Sequence, residues 1–230
     1  MIDLPPPDIY EQELIYIPYK KSLEKVLSIV SARTPVNGTV LDLMCGPGYL
    51  LSQIADVRSD LSLTGVDLDE DYIDYARRNH SGINFQVGDV LHWNPLQQFD
   101  VVLCTGSIHH VPYEKQANAI AAISKHTTPE GLSIISDCYI NDYSNENERK
   151  QAAAKLGFEY LIETIKNGAP TEVIAATADI LHNDVMMNEF KTSVKKRFNA
   201  FEQYFSNVQI FKTWPEHDSQ YGDYIMVCRK

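Results

Sequence analysis

A regular alternation of strand-like and helix-like segments between Thr39 and Asp137 most constrains what this chain can fold into. Five short apolar runs are predicted as strands, namely TVLDLMC (39–45), LSLTGVD (61–67), INFQVGD (83–89), FDVVLCT (99–105) and GLSIISD (131–137). Three stretches between them are predicted as helices, namely GYLLSQIADV (48–57), DEDYIDYARRN (69–79) and YEKQANAIAAISKH (113–126). Strands that alternate with helices form a parallel sheet covered on both faces, and such strands read as continuous apolar runs. The sequence therefore predicts an α/β fold on a mostly parallel sheet.

The pattern changes after the last of these strands. Residues 144–205 contain no strand-like run, and helices are predicted there over 150–165, 171–183 and 188–205. Two strand-like runs close the chain, and the short loop between them predicts an antiparallel hairpin over 208–214 and 222–230. Near the start, one helix is predicted over KKSLEKVLSIVSA, residues 20–32.

The charge of the chain narrows the class of partner. It has 31 Asp and Glu against 20 Lys and Arg, a net charge of −11 and a pI near 5.0. Because affinity for nucleic acid comes largely from Lys and Arg on phosphates, we expect no nucleic-acid partner. No apolar run approaches the ~20 residues that cross a bilayer, and the acidic, proline-rich start MIDLPPPDIYEQE is unlike a signal peptide. We expect a cytoplasmic protein, monomeric or homodimeric, with a small-molecule partner and no membrane contact.

The cysteines point to the same compartment. Cys45, Cys104, Cys138 and Cys228 form no CxxC pair, and all four lie inside apolar runs. This pattern is typical of buried, reduced thiols, so neither a zinc site nor a disulfide framework is predicted.

A glycine turn lies where the first predicted strand passes into the first helix, in the run VLDLMCGPGY. Ligands of open parallel sheets bind at the carboxyl ends of the strands, and glycine there lets a ligand approach the backbone. Asp67 ends the second predicted strand, where a carboxylate can accept hydrogen bonds from both hydroxyls of a ribose. Asp89 ends the third, where it can bind the amine of a nucleobase. The pattern predicts a nucleoside-containing cofactor.

Two cofactor classes fit a ribose-binding acid after a glycine turn. Nicotinamide cofactors favour GxGxxG, but Leu51 stands at the position of the third glycine. A pyrophosphate also lies poorly beside an acid such as Asp42. An adenosyl cofactor without phosphates meets no such conflict, and its ammonium can use a carboxylate near the first strand.

Four segments in order resemble the motifs of the class I S-adenosylmethionine-dependent methyltransferases: LDLMCGPG, VDLDEDYIDYAR, GDV and FDVVLCTGSIHHVP. The resemblance covers roughly residues 37–140 and implies a Rossmann-like fold with a seven-stranded sheet, to which the terminal hairpin contributes the antiparallel strands. It also implies S-adenosyl-L-methionine as cofactor and S-adenosyl-L-homocysteine as product. By this resemblance the chain is a single methyltransferase domain, which divides into an N-terminal arm and helix (1–36), a cofactor-binding core (37–140), a helical lid (141–187), and a last helix with the terminal hairpin (188–230).

The resemblance assigns five residues to the amino-acid end of the cofactor. Gly46 and Gly48 would line its methionine part, Asp42 would orient the loop and the ammonium, and Thr105 would lie nearby. Met44 stands where the family usually has its first glycine, which makes the approach of the backbone less free.

Four further residues are assigned to the ribose and adenine of the cofactor. Asp67 would hold the ribose hydroxyls, Leu68 would pack on the adenine, and Asp89 would accept from the adenine amine beside the Val90 amide. The order of an N-terminal IPY, late helices with DVMM and SV, and a terminal hairpin is similar to the carboxy-S-adenosylmethionine synthase group. That similarity implies that Tyr19 reaches the cofactor carboxylate.

Candidate catalytic and substrate residues follow from their chemistry. His109 or His110, after the fourth predicted strand, can take a proton from an attacking hydroxyl or amine near neutral pH. The alternative is a capping or packing role for the pair. Tyr10 and Tyr16 could face the substrate or pack in the core, and His182 could line the substrate pocket or end a helix.

Two further features of the sequence, a basic run and the ends of the fourth and fifth predicted strands, are not assigned a ligand-binding role. The basic run Lys191, Lys195, Lys196 and Arg197 is interpreted as a solvated helix face, and recognition of an anionic substrate is the alternative. Asp137 ends the fifth predicted strand, but the fourth ends in Cys104-Thr105, so the oxygen ligands that a hard cation requires are missing and no metal is predicted.

The functional hypothesis is an enzyme that transfers a methyl group from S-adenosylmethionine to an oxygen, nitrogen or carbon atom of a small molecule. Two alternatives stay open. One is an adenosyl-cofactor-dependent synthase or cyclase without methyl transfer, and the other is a non-catalytic partner subunit with the same fold.

Overall fold

One sheet of seven strands forms the centre of the protein, whose residues 5–230 are described by a computed structural model. The strands are β1 (Thr39–Leu43), β2 (Ser62–Asp67), β3 (Asn84–Val87), β4 (Phe99–Thr105), β5 (Thr127–Tyr139), β6 (Asn207–Trp214) and β7 (Gly222–Arg229). Their order is β3-β2-β1-β4-β5-β7-β6, and all pairs are parallel except those that β7 makes with β5 and β6. The predicted α/β fold with a terminal antiparallel hairpin is confirmed.

Helices cover both faces of the sheet and one of its edges. They are α1 (Pro7–Tyr16), α2 (Lys20–Arg33), α3 (Tyr49–Val57), α4 (Glu70–Asn79), α5 (Tyr113–His126), α6 (Glu146–Lys166), α7 (Thr171–Met186) and α8 (Val194–Tyr204), with a short 3-10 turn at Ile108–His110. No helix among residues 5–230 has the length and apolar character to span a bilayer.

The core consists of two layers, one on each face of the sheet. Successive residues of a strand point to opposite faces, and in β1 Val40 belongs to one layer and Leu41 to the other, both fully buried. Ile134 and Ile135 of β5 divide in the same way. Burial on both faces is why these strands read as unbroken apolar runs in the sequence.

Two predicted elements differ from the structure. The start of the chain holds two helices, because α1 precedes α2 and begins at Pro7, a residue well suited to the first helical position. The helix predicted over 188–205 begins only at Val194, because the Ser193 hydroxyl accepts from the Lys196 amide and caps it there. Residues 188–193 are instead an irregular segment that crosses the sheet edge.

The strand order reverses between β1 and β4, so the carboxyl ends of β1, β2, β4 and β5 open toward one edge of the sheet. Helices α1, α6 and α7 lie over that edge. Helices α6 and α7 pack closely at Gly157, where an added Cβ would come within 2.7 Å of Leu181 Cδ1. The two helices therefore form a compact cover above the ends of the strands.

Candidate active site

The loop between β1 and α3 is held in an unusual backbone conformation. Met44, Gly46 and Gly48 have φ values of 62°, 55° and 91°, all in the left-handed region. Gly48 is also required by space, since a Cβ there would lie 2.7 Å from Phe85 Cζ. Met44 adopts its conformation without the freedom of glycine, at a cost of about 1–3 kcal/mol. The loop keeps the shape of a glycine turn although one of its positions is not glycine.

Asp67, at the end of β2, holds this loop in place. Its Oδ2 accepts from the Gly46 amide (2.8 Å) and its Oδ1 accepts from the Asp69 amide (2.9 Å). The residue is half-buried, and burial raises the pKa of its carboxyl. Because a carboxylate oxygen has more than one acceptor direction, both oxygens can still receive the hydroxyls of a ribose.

The residues assigned to the adenine lie after β2 and β3. Asp89 is half-buried, and its Oδ1 accepts from the Leu91 amide at 2.9 Å. Leu68 is 69% exposed, so its side chain can pack on a flat ring, whereas the Val90 side chain is buried. The arrangement is compatible with the roles that the sequence resemblance implies, which stay predictions.

Asp42 has the most unusual environment of the cofactor residues. It is 1% exposed, and its Oδ1 has no hydrogen-bond partner among residues 5–230. Burial, and then the nearby Asp67, raise the pKa of Asp42 to about 8. It lines a small cavity of about 20 Å³ together with Met44 and Thr105. A buried acid without a partner suits the ammonium of an amino-acid group, so these residues fit the cofactor expected from the sequence.

Helix α1 covers this cavity and is tied to α4. Glu11 Oε1 lies 2.9 Å from His80 Nε2, and its Oε2 accepts from the Tyr75 hydroxyl at 3.1 Å. The Tyr10 ring packs 5.5 Å from the Tyr72 ring, measured between centroids, and lies over Gly46. The cavity beneath α1 is too small for an adenosyl group, so we expect α1 to move outward when a cofactor binds there.

A second cavity of about 470 Å³ lies beside the first. Tyr10, Leu14 and Tyr19 line both cavities, so the two are neighbours. The walls of the large cavity come from α1, α6, α7, the turn that holds His109 and His110, and the segment around Glu189. Its volume lies in the range of small-molecule sites.

His109 is held at the wall of the large cavity by Asp137. Its Nδ1 lies 2.5 Å from Asp137 Oδ1, while the Arg197 guanidinium donates to the other oxygen of Asp137. Burial alone would raise the pKa of Asp137, but His109 and Arg197 hold that pKa well below its usual range. The ionised carboxylate orients the imidazole with Nδ1 protonated, so in the neutral ring Nε2 carries the lone pair. The pair is suited to accept a proton from a ligand.

His110 has a different environment. Its ring centroid lies 4.2 Å from that of His109, and its Nδ1 has no partner among residues 5–230. Burial, and then the neighbouring His109, lower the pKa of His110 to about 4, so the ring is neutral at pH 7. No carboxylate within hydrogen-bond distance orients this ring, which distinguishes it from His109.

A buried ion cluster completes this wall of the cavity. Glu189 Oε2 lies 3.4 Å from His109 Nε2. Lys191 Nζ donates to the same oxygen (3.0 Å) and to both oxygens of Asp184 (2.7 and 2.8 Å). Burial would lower the pKa of Lys191, but Asp184 and Glu189 raise it above its ordinary value. All three N–H donors of the ammonium are thus engaged within the protein.

One group of side chains could hold a metal ion. Ligand atoms of His109, His110 and Glu189 lie within 4.8 Å of one another. Glu189 Oε2 already accepts a hydrogen bond from the Lys191 ammonium at 3.0 Å, so one of its acceptor directions is occupied. Asp137, the acid weighed as a metal ligand from the sequence, is already bonded to His109 and Arg197. That the site works without a metal stays a prediction.

The remaining predicted residues are distributed unevenly. The Tyr19 ring lies between the two cavities, and its hydroxyl donates to Ser136 Oγ at 2.8 Å. Among the described residues that line either cavity, Tyr16 and His182 do not occur. His182 is exposed on α7, whereas Asn183 and Asp184 turn toward the large cavity.

The interpretation of the basic run as a solvated helix face is wrong for two of its four residues. Lys191 and Arg197 are each 3% exposed and form the ion pairs described above. Glu13, Asp184 and Glu189 were also not identified from the sequence as site residues. The contact between His109 and Asp137 did have a signal in the sequence. His109 follows β4 and Asp137 lies near the end of β5, and these two strands pair in parallel, so their carboxyl ends lie side by side. The other contacts join segments that are distant in the chain, and no local sequence pattern predicts that these segments lie close together.

Known proteins share the central part of this chain. Residues 40–131 match a family described as a methyltransferase domain. The ubiquinone biosynthesis O-methyltransferase of Thiobacillus denitrificans is 28% identical over 146 residues, which cover 60% of this chain and 59% of that protein. The carboxy-S-adenosyl-L-methionine synthase of Campylobacter fetus is 29% identical over 126 residues, which cover 53% of each. The chain thus spans little more than half the length of these curated relatives.

The fold also occurs in solved structures. The magnesium protoporphyrin IX methyltransferase of Synechocystis with bound SAH has a TM-score of 0.61 and 14% identity, over 93% of this chain and 84% of that one. This likeness concerns the fold, which is that of the class I methyltransferases.

Proposed function

Because residues 40–131 of this chain belong to the methyltransferase-domain family and the chain has the class I fold, we propose that the protein is an S-adenosylmethionine-dependent methyltransferase acting on a small molecule. The observation that carries the proposal is the juxtaposition of the two cavities. One is lined by the β1 loop with the unpartnered Asp42, and the other by the His109–Asp137 pair. A cofactor loop beside a cavity with a proton acceptor is suited to methyl transfer to a small molecule whose acceptor atom must lose a proton.

The cofactor supplies an activated methyl group on a sulfonium. Asp42 would bind the ammonium of its amino-acid part, the loop at Gly46 and Gly48 would line that part, and Asp67 and Asp89 would bind ribose and adenine. Two features support these assignments: Asp42 has a buried oxygen without a partner, and the amides around the loop are ordered by Asp67.

His109 would remove the proton from the acceptor atom. In the neutral ring its Nε2 carries the lone pair, because Nδ1 donates to Asp137, and the ionised Asp137 stabilises the imidazolium that forms. The remaining task of the protein is to align the acceptor and to exclude water. Methyl transfer from a sulfonium needs little further assistance, so one oriented base is sufficient.

We assign a lid function to α6 and α7. They cover the large cavity with residues such as Leu156, Gly157 and Ile180, and substrate has to pass them to enter. In the free protein these helices are expected to exchange their amide hydrogens faster than β1, β4 and β5, and S-adenosylhomocysteine with a bound acceptor should slow them. Deep protection of α6 and α7 without ligand would make them part of the core and not a lid.

Calorimetric titration tests the proposed function directly. We expect S-adenosylhomocysteine to bind at one site per chain and NADH to bind far more weakly, because the loop lacks the third glycine of a dinucleotide site. Tighter binding of NADH would overturn the assignment. Product analysis separates methyl transfer from a synthase without methyl transfer, because only the former releases S-adenosylhomocysteine.

A further inference from the structure

The large cavity carries a strong excess of acidic groups. Five carboxylic acids line it against one amine, and the acids are Glu13, Glu172, Asp179, Asp184 and Glu189. The amine is that of Lys191, whose three donors are already taken by Asp184 and Glu189. No lysine or arginine in the described lining is therefore left to bind an anionic ligand. The electrostatics of the cavity favour a cation.

Glu13 is the acid that most requires a ligand. It lies on α1, is 3% exposed, and its Oε1 has no hydrogen-bond partner among residues 5–230. A buried polar atom without a partner is costly, so an unpaired carboxyl in the wall of a cavity indicates a group that binds there. Burial, and then Glu189 and Asp179, raise the pKa of Glu13 to about 8. A cation in the cavity would offset this repulsion and favour the carboxylate.

The hydrogen-bond acceptors around His109, the proposed base, also favour a cationic ligand. His109 Nε2 and Glu189 Oε2 lie 3.4 Å apart, and neither donates a hydrogen bond to the other when the imidazole is neutral. Glu189 Oε2 also accepts from Lys191 Nζ at 3.0 Å, but a carboxylate oxygen has a second acceptor direction. A group with several N–H donors can therefore bond to Glu189 Oε2 and His109 Nε2 at once. An alkoxide, a carboxylate or a phosphate placed at the base would instead meet these two acceptors.

We propose that the acceptor substrate is a primary or secondary amine that binds as an ammonium beside Glu13 and Glu189, with an apolar body against α6 and α7. The inference rests on the proposed function and specifies its substrate class. Leu156, Ala176 and Ile180 supply the apolar wall, and the exposed Glu172 and Asp179 make the entrance attractive to cations.

The chemistry balances with the residues present. The ammonium gives one proton to His109 Nε2, and the nitrogen lone pair then forms a bond to the methyl carbon. The bond from that carbon to sulfur breaks, and its electron pair stays on sulfur. The products are the N-methylated ammonium and S-adenosylhomocysteine, and the imidazolium returns its proton to water after release.

Ligand pairs that differ only in charge test the substrate class. The protein saturated with S-adenosylhomocysteine is titrated with ethylamine, butylamine, hexylamine and phenethylamine, with the matching alcohols, and with 3-phenylpropanoate. At least one amine is expected to bind about tenfold to a hundredfold more tightly than its alcohol, the usual effect of a hydrogen bond to a charged group. Phenylpropanoate is expected not to bind. Mass spectrometry after incubation with S-adenosylmethionine should show one added methyl on the amine.

Glu13→Gln should remove most of the preference for amine over alcohol while S-adenosylhomocysteine still binds. The matched control is Glu24→Gln, the same change at an exposed position of α2, which should leave the preference intact. Because glutamine has the shape of the protonated acid, Glu13→Gln is expected to fold, and its thermal unfolding verifies this.

Three results would overturn the amine assignment and leave the proposed function standing. They are equal binding of amines and alcohols, no binding of any amine in the series, or tight binding of one Zn²⁺ or Mn²⁺ that is lost in Glu189→Gln. The last would mean that a metal is the cation for which the carboxylates are arranged. Failure of S-adenosylhomocysteine to bind would contradict the proposed function itself, so the two failures are distinguishable.

Discussion

The two cavities each contain one buried carboxyl group with an unpartnered oxygen, Asp42 in the small cavity and Glu13 in the large one. Burial raises the pKa of both to about 8. Their surroundings differ. Around Asp42, the next acid, Asp67, bonds to the backbone amides of Gly46 and Asp69 in the same edge of the sheet. Around Glu13, the acids bond to side chains, and Glu189 and Asp184 share Lys191.

The difference shows how the two halves of the site acquire their specificity. A backbone amide can donate a hydrogen bond whichever side chain its residue carries. The contacts that Asp67 makes in the cofactor half therefore depend on the path of the backbone. The cavity half depends on the identity of each side chain, because Asp137, His109 and Arg197 balance one another's charge in a dry environment. Substitutions in the cofactor half should therefore change mainly the affinity for the cofactor. Substitutions in the cavity half should change mainly the rate of the reaction.

The largest effect is expected from His109→Gln. Loss of the oriented base should lower kcat by about 10²–10⁴-fold on an acceptor that must lose a proton. Binding of S-adenosylhomocysteine should be nearly unchanged, because His109 lies in the other cavity. The control is His110→Gln, which has no orienting carboxylate to lose and should retain most of the rate. A similar loss in both variants would remove the distinction between the two histidines.

Asp67→Ala tests the cofactor half. It removes two charge-assisted hydrogen bonds to ribose, each worth about 1.5–3 kcal/mol, so the affinity for S-adenosylhomocysteine should fall by at least about a hundredfold. The exposed Asp71, in the first turn of α4, is the matched control, and its change to alanine should have little effect. Titration calorimetry measures both. Unchanged affinity in Asp67→Ala would mean that another group binds the ribose.

The two unpartnered acids should behave alike toward pH and differently toward ligands. Since the folded-state pKa of each is raised to about 8, its contribution to stability is largest at low pH and is lost as the pH rises from about 4 to about 8. Replacing either by its amide, Asp42→Asn or Glu13→Gln, should make the fall in unfolding free energy less steep, by up to about 1.4 kcal/mol per pH unit. Urea unfolding across this range measures the slope.

Binding of S-adenosylhomocysteine should then distinguish the two variants. Asp42→Asn is expected to weaken binding of S-adenosylhomocysteine, and Glu13→Gln is expected to leave it intact. If both variants bind S-adenosylhomocysteine equally well, Asp42 is not the partner of the ammonium and the two halves are less distinct than the geometry indicates.

The smallest effect is expected from Glu11→Gln, at the contact that ties α1 to α4. A partly exposed pair contributes less than about 1 kcal/mol, so unfolding should shift only slightly. Because α1 covers the small cavity, S-adenosylhomocysteine should associate faster with the variant, which stopped-flow fluorescence can measure. Slower or equal association would argue against movement of α1 as the entry step.

The elements that sequence patterns predicted best are those with local signals. Strand and helix alternation located β1 to β5 within a few residues, and the acids at the ends of β2 and β3 followed directly. Helix α1 was missed because the prolines at residues 5–7 lead into its start, and a run of prolines usually marks a turn or an extended segment. Residues 188–193 were predicted as part of a helix because their charged residues continue the helical spacing of 194–205. Spacing alone does not show whether such residues are exposed to solvent or paired inside the protein.

By itself, the sequence determined the order of the elements, the parallel sheet and the glycine turn with its acids. Apolar periodicity and turn chemistry depend on neighbours in the chain, and both can be recognised without knowing the fold. Only the tertiary structure decided that Asp137 orients His109, that Lys191 is neutralised by Asp184 and Glu189, and that Glu13 Oε1 has no hydrogen-bond partner among residues 5–230. Whether a charged side chain is solvated, paired or unsatisfied depends on groups that are distant in the chain, and packing alone brings these groups together.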